Sequence, residues 1–135
     1  MNTETPQRSG RRSLPAWVLG AGDVAAFALF AVLGLLNHDE GVTWAGIVRN
    51  VIPIAIAWFA FARFLDTYRD PSIATLIRTW ALAIPAGVLI RAAALRRDAD
   101  GSQLAFGIVA ALTTLVLLLA WRGIAAAIGR RRARV

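Results

Sequence analysis

The chain has 135 residues, 58% of them hydrophobic, with no Cys, one His and a formal charge of +7. That apolar fraction, against about 45–50% in soluble domains, excludes a disordered chain, and the missing Cys exclude a disulfide framework, a zinc ribbon and thiol catalysis. One His leaves no His-rich metal site within a single chain, and the length is too short for a Rossmann or barrel enzyme.

A helix crossing the roughly 30 Å hydrocarbon core needs about 20 mostly apolar residues. The sequence predicts four such helices, with short loops, in an antiparallel all-α bundle of a polytopic membrane protein. The chain starts with a basic tail, residues 1–15, that carries Arg8, Arg11 and Arg12 and is expected to be disordered. The first span is Ala16–Leu36, interrupted by Asp23. After the acidic connection Asn37–Thr43 comes Trp44–Leu65, which carries Arg49, Asn50 and Arg63. Asp70-Pro71-Ser72 reads as a turn and helix start before the third span, Ile73–Ile90, with Arg78 and Pro85. Asp100-Gly101-Ser102 marks a loop before the uncharged fourth span, Leu104–Trp121. The four-helix domain extends over residues 16–128, and a basic tail over 129–135. The spans are near-continuous rather than alternating, which favours helices over barrel strands. A pair of buried soluble helices is the alternative for the second and third spans, but no polar face exists to cover such a core.

Arg-rich flanks mark the cytoplasmic side of a membrane protein. Ten of the 15 Arg fall on the side of the chain termini and four on the other, which places both termini in the cytoplasm of a multi-pass protein of the cell membrane. Arg11-Arg12-Ser13-Leu14 resembles a twin-arginine export signal, but no convincing cleavage site follows it, and Asp23 breaks the run. Trp17, Trp44 and Trp121 sit at span ends, where an amphipathic ring belongs. Trp58 and Trp80 sit deeper and read as packing or lipid contacts.

Ionisable groups inside a span are costly and are paired or functional. Asp23 and Arg78 lie at similar depths, roughly 9 and 7.5 Å from the same side at 1.5 Å per residue, which predicts that they pair. Arg63 and Arg122, nearer the surface, are the other cations within reach of Asp23. Arg49 and Asn50 form a second polar layer on the opposite side, with Arg91 at the helix end and Asp39 and Glu40 as acidic candidates. The candidate intramembrane polar site is therefore Asp23, Arg78, Arg49, Asn50 and His38. Asp23, Phe27, Phe30, Gly34 and His38 share one stripe of the first helix. The stripe is either a packing seam with one paired carboxylate or a polar track ending on a proton-binding His; the seam is the simpler reading. Gly22/Ala26, Ala83/Gly87 and Gly107/Ala111 are small-residue pairs of the kind found where membrane helices touch. Pro85 is either a tolerated membrane proline or a hinge.

Several residues recur in an order that points to a family. They are Gly22-Asp23 with Phe27, Gly34 and His38; Pro53 with Trp58; Arg78-x-Trp80, Pro85, Gly87 and Arg91; then Phe106 and Trp121-Arg122. From Trp17 to Arg122 the chain resembles the small prokaryotic integral-membrane family catalogued as domain of unknown function 3054. The resemblance implies a four-span membrane protein and carries no established activity.

Three function classes remain. A non-enzymatic scaffold, assembly factor or lipid-interacting subunit explains the seams and the short loops. A proton- or ion-coupled transporter or channel centred on Asp23 explains the buried charges. Small four-span multidrug exporters also carry an acid in their first helix, although they often pair with inverted partners, which the Arg bias here opposes. An enzyme is not expected, because too few catalytic groups are present. No metal or cofactor is expected either. The expected partners are the lipid bilayer, with anionic headgroups at Arg130, Arg131, Arg132 and Arg134, and a second copy in a homodimer, but not nucleic acid.

Overall fold

The computed structural model describes residues 14–36, 41–95 and 101–132, with backbone only at 101 and 102. Four helices account for nearly all of them: α1 (Ala16–Leu36), α2 (Trp44–Phe64), α3 (Ile73–Ala94) and α4 (Gly101–Arg132). All four are long and apolar enough to cross a membrane. There is no strand among the described residues. The sequence-predicted tail over residues 1–13, His38, Asp39, Glu40, Arg96, Arg97 and Arg134 lie outside the described residues.

The helix starts follow local chemistry. The Pro15 carbonyl accepts the first α1 bonds, from the Val18 and Leu19 amides. Thr43 caps α2, its Oγ1 accepting from the Gly46 amide at 3.1 Å. Ser72 caps α3 and accepts from the Thr75 amide at 3.3 Å. Each cap satisfies one amide that the helix leaves without a partner. Two helices differ from the spans read in the sequence. α3 continues past Ile90, so that Arg91 lies within it, and passes through Pro85 unbroken. α4 runs eleven residues past Trp121, through Arg132. At 1.5 Å per residue it is about 48 Å long, well beyond the hydrocarbon thickness.

The helices pack in a ring. α1 lies against α2 and α4, and α3 lies against α2 and α4, so α1 and α3 are diagonal. Phe27, Ile54, Trp58, Leu76, Ile84 and Leu118 fill the centre, each almost completely buried. Phe27 meets Trp58 edge-on at 5.5 Å. The outer surface also carries many large apolar side chains: Leu29, Ile52, Ile56, Leu89, Leu112 and Val116 are all exposed. A water-soluble bundle would carry polar residues there.

Two glycines set the close approaches. A Cβ on Gly87 would lie 2.8 Å from Ile54 Cα, so Gly87 lets the α2 and α3 backbones touch. A Cβ on Gly22 would sit within the Trp121 ring, so Gly22 is the seat for that indole on α1. Of the small-residue pairs read in the sequence, those containing Gly22 and Gly87 thus mark real contacts.

Candidate functional site

The end of the bundle where α1 starts holds a buried polar cluster. Asp23, on the second turn of α1, is 0% exposed, and Arg122 on α4 is 8% exposed. Arg122 Nη2 donates to Asp23 Oδ2 at 3.0 Å. Trp58 Nε1 on α2 is shared between Asp23 Oδ2 at 3.1 Å and the Tyr68 hydroxyl at 3.0 Å. The Tyr68 hydroxyl donates to the same Oδ2 at 2.8 Å. One carboxylate oxygen therefore collects donors from α2, α4 and the α2–α3 turn. Asp23 Oδ1, Arg122 Nε and Arg122 Nη1 are buried and have no hydrogen-bond partner.

Backbone geometry at the end of α2 delivers Tyr68. Asp66 adopts a left-handed conformation (φ 51) just after the cap residue Leu65. The Thr67 amide then bonds back to the Ala62 carbonyl at 3.1 Å. This is the Schellman pattern of a helix end, with Asp in the place usually taken by Gly. Thr67 is buried and hydrogen-bonds through its hydroxyl to Thr79 on α3. With the turn pinned on both sides, Tyr68 points back into the bundle. Burial and the neighbouring Asp23 charge push the Tyr68 phenol above its ordinary value, so it remains a donor at neutral pH. Outside the bundle, Asp70 accepts from the Thr75 and Ser72 hydroxyls at 2.6 and 3.0 Å. These bonds hold its carboxyl below the ordinary range.

Trp121, next to Arg122, supports the same interface: its Nε1 donates to the Leu19 carbonyl on α1 at 3.1 Å. The α1–α4 contact thus combines an ion pair, an indole–carbonyl bond and the Gly22 seat. No connecting loop imposes this contact, because the two helices are first and last in the chain.

A second cluster occupies the opposite half. Arg91 on α3 donates through Nε to Asn50 Oδ1 on α2 at 2.8 Å, and through Nη1 to Gln103 Oε1 on α4 at 3.4 Å. Its guanidinium lies over the Phe106 ring at 4.0 Å.

The structure redistributes the sequence-predicted site. Asp23 and Asn50 are buried and bonded as the centres of the two layers. Arg78 does not pair with Asp23; it is exposed on α3, the helix diagonal to α1. Arg122 takes that position. The depth estimate placed Arg122 too near the surface because it ended the span at Trp121, whereas α4 continues for about three more turns, through Arg132. Arg49 is exposed on α2, and Arg91 rather than Arg49 bonds Asn50. His38 lies outside the described residues. Along its stripe, Asp23, Phe27 and Phe30 face inward and Gly34 is half-buried. Trp58 and Trp80 do more than pack: Trp80 Nε1 donates to the Ala111 carbonyl on α4 at 3.1 Å. Tyr68 and Gln103 escaped the sequence reading, Tyr68 because it lies in a connection. Its signal is that it is the single Tyr of the chain.

Four membrane-length helices around a buried acid–arginine pair define a polytopic membrane bundle. A family model described as "Protein of unknown function (DUF3054)" matches residues 20–125, and the chain belongs to that family. No curated protein and no solved structure matches the chain.

Proposed function

We propose that this protein is a non-enzymatic subunit of the cell membrane that acts as a scaffold, assembly or lipid-interacting component, with both termini in the cytoplasm. The carrying observation is the closed state of the Asp23 cluster. The carboxylate is fully buried and tied to Arg122, Trp58 and Tyr68 from three separate elements. Such a cluster fastens the bundle and leaves the outer apolar faces to meet lipid or other helices. Arg63, Arg69, Arg78, Arg130, Arg131 and Arg132 are exposed toward the end where α1 starts and α4 finishes. Their charge suits a cytoplasmic leaflet rich in anionic headgroups, at about 1 kcal/mol for each Arg near the surface.

A proton- or ion-coupled transporter or channel is the second reading. It is favoured by the unpartnered Asp23 Oδ1, Arg122 Nε and Arg122 Nη1, because buried polar atoms without partners cluster where function requires them.

Purified protein in liposomes separates the two. The scaffold reading expects no flux across a panel of protons, cations and anions. A flux that Asp23→Asn abolishes without loss of assembly would overturn it. The native absence of Cys permits a direct topology test. Arg69→Cys is expected to react with a membrane-impermeant maleimide only after the cells are opened, and Val42→Cys in intact cells. The reverse pattern contradicts the orientation.

A further inference from the structure

The donors around Asp23 have the form of an anion receptor. Trp58 Nε1, the Tyr68 hydroxyl and Arg122 Nη2 converge on one oxygen at 3.1, 2.8 and 3.0 Å. Two are neutral and one is cationic; Trp58 and Arg122 are buried and Tyr68 is half-buried, and charge-assisted bonds are strengthened where water is scarce. The chain fills this receptor with its own carboxylate, and it does so through Oδ2 alone. Oδ1 stays buried without a partner, as do two further nitrogens of the same guanidinium. The acceptor that can take a proton and the donors that can take an anion are therefore unused and adjacent.

We propose that the Asp23 carboxylate is the exchangeable occupant of this receptor, and that Arg122, Tyr68 and Trp58 bind a small monovalent anion (a halide, or a planar oxyanion such as nitrate or formate) when Asp23 takes a proton on Oδ1. One O–H bond forms on Oδ1 as one O–H bond of a solvent hydronium breaks, with no change of oxidation state. One proton and one anion enter together, so the site remains neutral: Arg122 stays cationic, and the anion replaces the charge that Asp23 gives up. A single guanidinium balances one negative charge, which selects against dianions. Every element packed on Asp23 is accounted for among the described residues. α2 offers the non-titrating Trp58, the turn offers Tyr68, and α4 offers Arg122, while α3 lies diagonally across. Only Asp23 is then free to change charge in the acidic range. The inference goes beyond either functional reading, since a fastening cluster and a transport site would both use such a receptor.

The test measures thermal stability of the full chain in detergent, comparing sodium formate, nitrate or chloride with sodium gluconate at equal ionic strength. In the wild type, the small anions are expected to stabilise selectively at acidic pH and to lose that effect at neutral pH. Asp23→Asn keeps the shape of the protonated acid, so selective stabilisation should persist at both pH values. Anion affinity read from the shifts at neutral pH should rise by about tenfold or more over wild type. Adding Arg122→Gln to Asp23→Asn should remove it. If formate and gluconate act alike on the wild type at acidic pH, the proposal is wrong. It is equally wrong if the double variant responds as strongly as Asp23→Asn, which would place the anion at surface arginines. Should Asp23→Asn fail to fold, the wild-type pH series decides alone.

Discussion

At the end of the bundle where α1 starts, a carboxylate meets a guanidinium across 99 residues of sequence. In the opposite half, Arg91 is held by the amide oxygens of Asn50 and Gln103 and by the Phe106 ring. The first cluster joins α1 to α4, the contact that no loop enforces, and draws in α2 and its following turn. The second joins α2, α3 and the start of α4, which the short connections already make neighbours. In lipid, apolar side chains give helices little preference for one another over the bilayer. Specific polar bonds therefore decide which faces meet, and the charged pair sits where chain connectivity helps least.

Breaking the first cluster should cost more than breaking the second. Arg122→Gln leaves the Asp23 charge buried and uncompensated, with an expected loss of about 3–5 kcal/mol. The loss should be visible as a fall in melting temperature or in folded yield. Asn50→Leu removes the acceptor of Arg91 Nε and should cost about 1–3 kcal/mol. If the Asn50 variant proves the weaker protein, the ranking of the two layers is reversed.

The Tyr68 turn gives the comparison a pH axis. Its phenol is raised in the fold, so the protonated form is the one the structure favours. That contribution is complete below the ordinary value of 10.0 and is lost as pH rises beyond it. Wild-type stability should therefore fall on the alkaline side of pH 10.0 more steeply than that of Tyr68→Phe. Coincident alkaline profiles would detach Tyr68 from the cluster. The smallest effect is expected at Arg78. Because Arg78 is exposed, Arg78→Gln should change stability by no more than about 0.5 kcal/mol. A large loss there would restore the pairing that depth alone suggested.

Span positions and helix order were legible in the sequence because long apolar runs and loop punctuation depend on composition. Rotation of the helices was not. Helices apolar on all sides carry no polar face to orient them, so depth could be read for Asp23 and Arg78 but azimuth could not. Arg78 matched Asp23 in depth yet points outward from the diagonal helix. Trp121 and Arg122 looked like boundary markers, since an interfacial Trp and an Arg commonly end a span. The continuation of α4 through Arg132 turns them into the partners of Leu19 and Asp23. Tyr68 was hidden by its place in a connection, and what brings it inside is the left-handed Asp66.

The Asp23–Arg122 pair is the centre of this account, and a double-mutant cycle tests it most directly. Folded yield and melting temperature are measured for Asp23→Asn, Arg122→Gln and the double variant. The double variant should be more stable than Arg122→Gln alone, because it no longer buries an unpaired carboxylate. If the two single losses simply add in the double variant, Asp23 and Arg122 are not partners.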